Sequence, residues 1–174
     1  MKKQKDARIS ELLKSSKTPY YLAPMFQVND LAFREMCRKH GILLCWTGMI
    51  NSHMWIINPK DRKNLFDTCP ADRPLIVQLN GNDEQELLSC ARDVESVVDA
   101  IDLNLGCTQH IARRGQYGYF MVNTPEKREK SLEILARLTT ELSLPIKSKI
   151  RLLADKVRNL DIKANCEFAK SLEK

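Results

Sequence analysis

The sequence predicts a parallel α/β protein built from βα units. Five apolar runs, near 20–23, 42–46, 75–79, 100–105 and 145–151, alternate with stretches whose apolar residues recur at helical spacing. Such alternation marks a parallel sheet with helices packed on it. The third run, Leu75-Ile76-Val77-Gln78-Leu79, is apolar but for one amide, as expected of a strand covered on both faces. A TIM-type βα barrel needs eight such units in about 250 residues. This chain, at 174 residues, supplies five and is read as a partial barrel.

Residues 1–18 are polar and basic, with Ile9, Leu12 and Leu13 spaced to bury one face of a short helix. The segment is either a lid over the bottom of a barrel or a loose basic tail, and it is set apart from the body at 19–174. Tyr20–Ala23 is the first strand, stopped by Pro24, which cannot donate to a ladder. Asn29-Asp30 then caps a helix in which Leu31, Phe33 or Arg34, Met36 or Cys37 and His40 recur, with Gly41 as its stop. Residues 42–46 form the second strand. Residues 47–57 carry no clear period, and 59–68 is a polar connection with room for a short helix.

After the third strand, Asn82-Asp83 caps a helix whose Leu87, Ala91, Val94 and Val98 share a face. Gln78 within that strand needs a partner, because burying an unpaired amide costs a few kcal/mol. Residues 100–107, Ala-Ile-Asp-Leu-Asn-Leu-Gly-Cys, are a fourth strand that ends in an amide, a glycine and a thiol. Barrels of this kind carry their active sites at strand C-terminal ends. Cys107 is therefore either a reactive thiol or an inert buried one, since free cysteines are often buried. A polar loop follows. Thr124-Pro125 opens a long helix with Leu132, Leu135, Leu138 and Leu142 as its stripe. In the fifth strand Ile146, Ser148 and Ile150 share one face, and Lys147, Lys149 and Arg151 share the other. The last two of these cations are expected to point at an anion near the strand's end. A final helix, Asp155 to Leu172, is expected to bury Val157, Leu160, Ala164 and Phe168.

Composition narrows the class of protein. Hydrophobic residues make up 43% and charged residues 29%, as in ordinary globular domains. An excess of 28 basic over 22 acidic residues favours an anionic partner such as nucleic acid. The six cysteines contain no C-x-x-C pair, and the three histidines do not fall at zinc-ligand spacing beside them, so neither a metal site nor a disulfide framework is expected. Cys37, Cys90 and Cys166 lie in apolar helical patterns and read as packing. No signal peptide or membrane span is apparent, which predicts a soluble protein in a reducing compartment, cytoplasmic or nuclear.

The motifs at the strand ends resemble, in order, those of the tRNA-dihydrouridine synthases: Ala23-Pro24-Met25, Asn29-Asp30 with Phe33-Arg34, Thr47 and Met49, Val77-Gln78-Leu79, residues 101–107, and Lys149-Ile150-Arg151. The resemblance spans about residues 20–174 and corresponds to the first five units of the catalytic barrel. The loop with Gln109, Ile111-Ala112, Arg114-Gly115 and Tyr117-Gly118 is most similar to the eukaryotic branch acting on the D-loop near its first uridines.

That resemblance implies FMN, reduced by NADPH, delivering hydride to C6 of a tRNA uridine while a cysteine protonates C5. Cys107 falls on the acid's position. An ordinary thiol, with a pKa of about 8.5, is mostly protonated at neutral pH and can serve as an acid. The resemblance places Gln78 and Lys149 against the isoalloxazine, and Pro24, Met25 and Phe26 along the flavin. It gives Asn104 a role in holding uracil or flavin, and Arg151 a role as anion partner for tRNA or flavin. The uridine must be turned out of the tRNA to reach such a site. Thr108 stands where the family usually has Pro, Gly48 where it usually has Glu, and Lys147 where a small or hydroxyl residue is common. The family's histidine-bearing sixth strand would begin after Lys174. Five strands alone are expected to leave an apolar edge, to be poorly soluble or paired, and to hold FMN weakly or not at all. Two other readings remain open: a different FMN barrel acting on a free pyrimidine, and an inactive remnant that binds RNA or protein.

Overall fold

The computed structural model of the chain describes residues 7, 9–11, 14, 20–154 and 160–173. Five parallel strands lie side by side in chain order: β1 (Tyr21–Leu22), β2 (Leu44–Asn51), β3 (Leu75–Asn80), β4 (Ala100–Leu105) and β5 (Ile146–Ile150). The intervening helices are α1 (Leu31–Lys39), α2 (Ser52–Ile57), α3 (Arg62–Leu65), α4 (Glu84–Val94), α5 (His110–Arg114) and α6 (Pro125–Glu141), with α7 (Ile162–Leu172) after β5. This is the partial βα barrel that the alternation predicts.

Strand alternation separates two cores. Leu75, Val77 and Leu79 of β3 and Ile101, Leu103 and Leu105 of β4 pack outward against Leu87, Ala91 and Val94 of α4 and Ile134, Leu135 and Leu138 of α6. The inward face changes character along the strands. Leu44, Ile76 and Ala100 make its apolar floor, and Ile9, 3% exposed, packs on them. The next row, by strand register, is Met49, Gln78, Asp102 and Lys147, and above it Asn104 faces Lys149. Polar groups thus gather at the strands' C-terminal ends, where barrel chemistry takes place.

Caps fall where the residue types place them. The side chains of Asp30, Asp83 and Thr124 each accept the backbone N–H three residues on, which satisfies a donor left over at a helix start. β2 runs five residues past its expected end at 46, and a bulge between Trp46 and Met49 hides its alternation. The last helix starts at Ile162, capped by Asp161, and Leu160 is exposed rather than buried in it. The expected start at Asp155 and the expected buried Val157 lie outside the described residues. Cys166 is exposed, not a packing group, because it sits opposite the buried Phe168 side of α7. No helix among the described residues is long and apolar enough to cross a membrane.

Arg34, read from spacing as an alternative to an apolar position, is instead a buried charge. It donates twice to Asp72 Oδ2, at 2.6 and 2.9 Å, and once to the Asn29 carbonyl at 2.7 Å. Arg38 binds the other oxygen of Asp72 at 3.0 and 3.1 Å. Asn29 in turn donates to the carbonyls of Ala23 at 2.7 Å and Trp46 at 2.9 Å, which ties the end of β1 to β2. This network fixes the loop holding Pro24, Met25 and Phe26. A Cβ at Gly48 would lie 3.0 Å from the Met25 carbonyl oxygen, so glycine there lets that loop rest on the β2 bulge.

Candidate active site

Seven of the eight residues singled out from sequence line a single cleft of about 250 Å³ at the mouth of the sheet: Pro24, Phe26, Gln78, Asn104, Cys107, Lys149 and Arg151. Met25 lies beside it, with its carbonyl accepting the Val28 and Asn29 N–H groups, and does not line it. Phe26 and Lys149 are exposed, whereas Gln78 is fully buried.

The polar groups of this cleft are joined in a row. Gly106 and Cys107 each donate a backbone N–H to Asn104 Oδ1 at 3.0 Å. Asn104 Nδ2 donates to Gln78 Oε1 at 2.9 Å, and Gln78 Nε2 donates to Asp102 Oδ2 at 2.6 Å. The partner that Gln78 required is therefore Asp102 on one side and Asn104 on the other. Asn104, 8% exposed, spends its acceptor on the turn that carries Cys107. Arg151, the residue after β5, donates Nε to the Gly106 carbonyl at 2.8 Å and so also clasps this turn.

Asp102 had no role in the sequence reading, although it sits two residues before Asn104 on the same face. Burial pushes its carboxyl up from the usual 3.8 to about 6, against the opposing pull of the Gln78 hydrogen bond, the Trp46 indole and the Lys149 charge. The folded protein thus holds this proton more tightly than the unfolded chain does. The group's contribution to stability is full below about pH 4 and is lost as pH rises to about 6. At about 1.4 kcal/mol per unit, that loss is about 3 kcal/mol. Asp102→Asn should abolish the slope, so the urea midpoint of the variant relative to wild type should rise from pH 4 to pH 7. Parallel profiles would contradict it.

The Cys107 thiol is half-buried, with Gln109 Oε1 3.9 Å from its sulfur. Its carbonyl accepts from Tyr119 N at 3.0 Å, which packs the turn onto the 3₁₀ segment Gly118–Met121. Gly118 has φ +65°, and a Cβ there would lie 2.8 Å from the Cys107 oxygen and 2.9 Å from its Cβ. Gly118→Ala is expected to cost at least about 1–2 kcal/mol and to alter the rate at which Cys107 is alkylated. Peptide-resolved alkylation at an unchanged rate would show that the turn absorbs the methyl group. Cys45 and Cys90 are buried in the outer core, and burial pushes their thiols up to about 11 and about 12.

The family model described as dihydrouridine synthase matches residues 21–174. The chain belongs to the dihydrouridine synthase family. It is 37% identical over 161 residues to a rat protein named tRNA-dihydrouridine(16/17) synthase [NAD(P)(+)]-like, covering 89% of this chain and 34% of the relative. A Schizosaccharomyces pombe tRNA-dihydrouridine(16/17) synthase [NAD(P)(+)] is 38% identical over 142 residues, covering 80% and 35%. A human protein named tRNA-dihydrouridine(20a/20b) synthase [NAD(P)+]-like is 33% identical over 152 residues, covering 87% and 48%. The chain thus spans a third to a half of the length of these relatives.

Proposed function

We propose that this dihydrouridine synthase chain forms the catalytic half-site for reducing a tRNA uridine to 5,6-dihydrouridine. The observation that carries the reading is the convergence of Cys107, Asn104, Gln78 and Lys149, from three different strands, on one cleft at the strand ends.

The cleft's chemistry fits FMN. Phe26 offers an exposed aromatic face, Pro24 an apolar wall, and Lys149 a cation that favours negative charge on a reduced ring system. When bound and reduced by NADPH, FMN supplies hydride to C6 of the uracil. Cys107 supplies the proton to C5, which completes saturation of the C5–C6 bond and leaves a thiolate to be reprotonated from solvent. Asn104 holds the turn that presents this thiol and, through it, faces the uracil. Arg151, at the rim, meets phosphate of the tRNA or the flavin. A uridine must leave its stack to enter a cleft of this size. The higher identity to relatives named for positions 16/17 supports the first D-loop uridines as the target.

The test completes the barrel with the C-terminal part of the Schizosaccharomyces pombe relative and supplies FMN, NADPH and unmodified tRNA. The expected result is dihydrouridine at 16 or 17, mapped by mass spectrometry of nuclease fragments. Flavin reduction without any dihydrouridine would exclude tRNA as substrate. A free pyrimidine reduced in its place would favour the rival barrel chemistry.

A further inference from the structure

We infer that Asp102 is a positioning residue for Cys107, acting through the row of amides that joins them; this rests on the reading of Cys107 as the acid. The row begins with two backbone N–H groups, of Gly106 and Cys107, which can only donate. It ends on a carboxylate, which when ionised can only accept. Between them stand two amides, Asn104 and Gln78, each able to face either way.

The two ends determine how both amides sit. Asp102 draws the Gln78 NH₂ toward itself, which leaves Gln78 Oε1 facing Asn104. That oxygen, with the Met49 sulfur at 2.8 Å as a second and weaker acceptor, draws Asn104 Nδ2, which leaves Oδ1 facing the Cys107 turn. All three side chains are buried, with Gln78 fully enclosed and Asp102 1% exposed, so water does not substitute for a lost partner. The charged groups facing Asp102 are Lys147, its register partner on β5, and Lys149; β2 and β3 present Trp46 and Gln78. The Gln78 and Trp46 hydrogen bonds and the Lys149 charge favour the carboxylate against its burial, which preserves its acceptor-only character at neutral pH. An amide in its place can donate as well as accept. Gln78 can then turn over, and Asn104 after it, so that Nδ2 confronts the Gly106 and Cys107 N–H groups and the turn opens.

The experiment is residue-resolved amide hydrogen exchange by NMR on the chain at pH 7.5, comparing wild type with Asp102→Asn. The expected result is exchange at Gly106 and Cys107 faster by roughly tenfold or more, with Val77, Leu79 and Leu103 unchanged. Unchanged exchange at the turn overturns the inference, and so does a uniform acceleration across β3 and β4, which would mark Asp102 as a packing group. If Asp102→Asn does not fold, Gln78→Leu breaks the row at its middle and must produce the same local effect. Activity is read separately in the completed barrel. Absence of dihydrouridine from the wild type would defeat the reading of Cys107, whereas the exchange result alone decides the role of Asp102.

Discussion

Replacing Cys107 by alanine in the completed barrel should lower dihydrouridine formation by roughly 10²- to 10⁴-fold, the usual contribution of a positioned general acid. Flavin reduction by NADPH should remain nearly as fast, because the thiol takes no part in it. Of the six cysteines, only Cys107 lines the cleft; its main chain is held by Asn104 and Tyr119, and Arg151 holds the carbonyl of Gly106 just before it. Cys90→Ala is the control, since that side chain is buried against the outer core and far from the strand ends. Single-turnover kinetics with prereduced flavin isolate the step. Dihydrouridine formation at the wild-type rate in Cys107→Ala would leave the thiol without a chemical role.

Arg34→Ala should destabilise the chain by about 3–5 kcal/mol, measured as a shift in urea midpoint at constant slope. The magnitude follows from burial. Arg34 and Asp72 have side-chain exposures of 2% and 0%, so removing the guanidinium leaves the carboxylate with only Arg38 and the Thr68 hydroxyl, and the Asn29 and Asp67 carbonyls with a donor lost. Arg38→Ala should cost less, because its side chain is 14% exposed and water can reach the vacated oxygen. Since Asn29 ties β1 to β2, Arg34→Ala should also loosen the Pro24–Phe26 loop. A shift below about 1 kcal/mol would show that Arg38 and Thr68 together satisfy Asp72.

Much of this architecture could be read from residue order. Helix caps at Asp30, Asp83 and Thr124, the enclosed β3 run and the polar end of β4 each follow from local chemistry, and all five strands fall where apolar runs predict them. What escaped had long-range causes. The β2 extension is masked by a bulge, whose extra residue shifts the period of two by one. The burial of Arg34 depends on Asp72, 38 positions away, and no local pattern announces it. Asp102 was legible in principle: Gln78, Asp102 and Asn104 all fall on inward positions of adjacent strands, and an amide that needs a partner is answered by the nearest carboxylate in that row.

The order of strands in the sheet, β1-β2-β3-β4-β5, equals their order in the chain. During synthesis every strand after β1 therefore leaves the ribosome with its one earlier neighbour already made, and none has to wait for a later one to be inserted between them. At roughly 10 residues per second, successive strands follow by a few seconds, long compared with the microseconds in which short segments collapse. The sheet can grow from one side, each new strand docking on a finished edge. Asp72, just ahead of β3 in the chain, bridges two arginines of α1, so every partner of the tie between the first two units precedes the strand that bears Gln78.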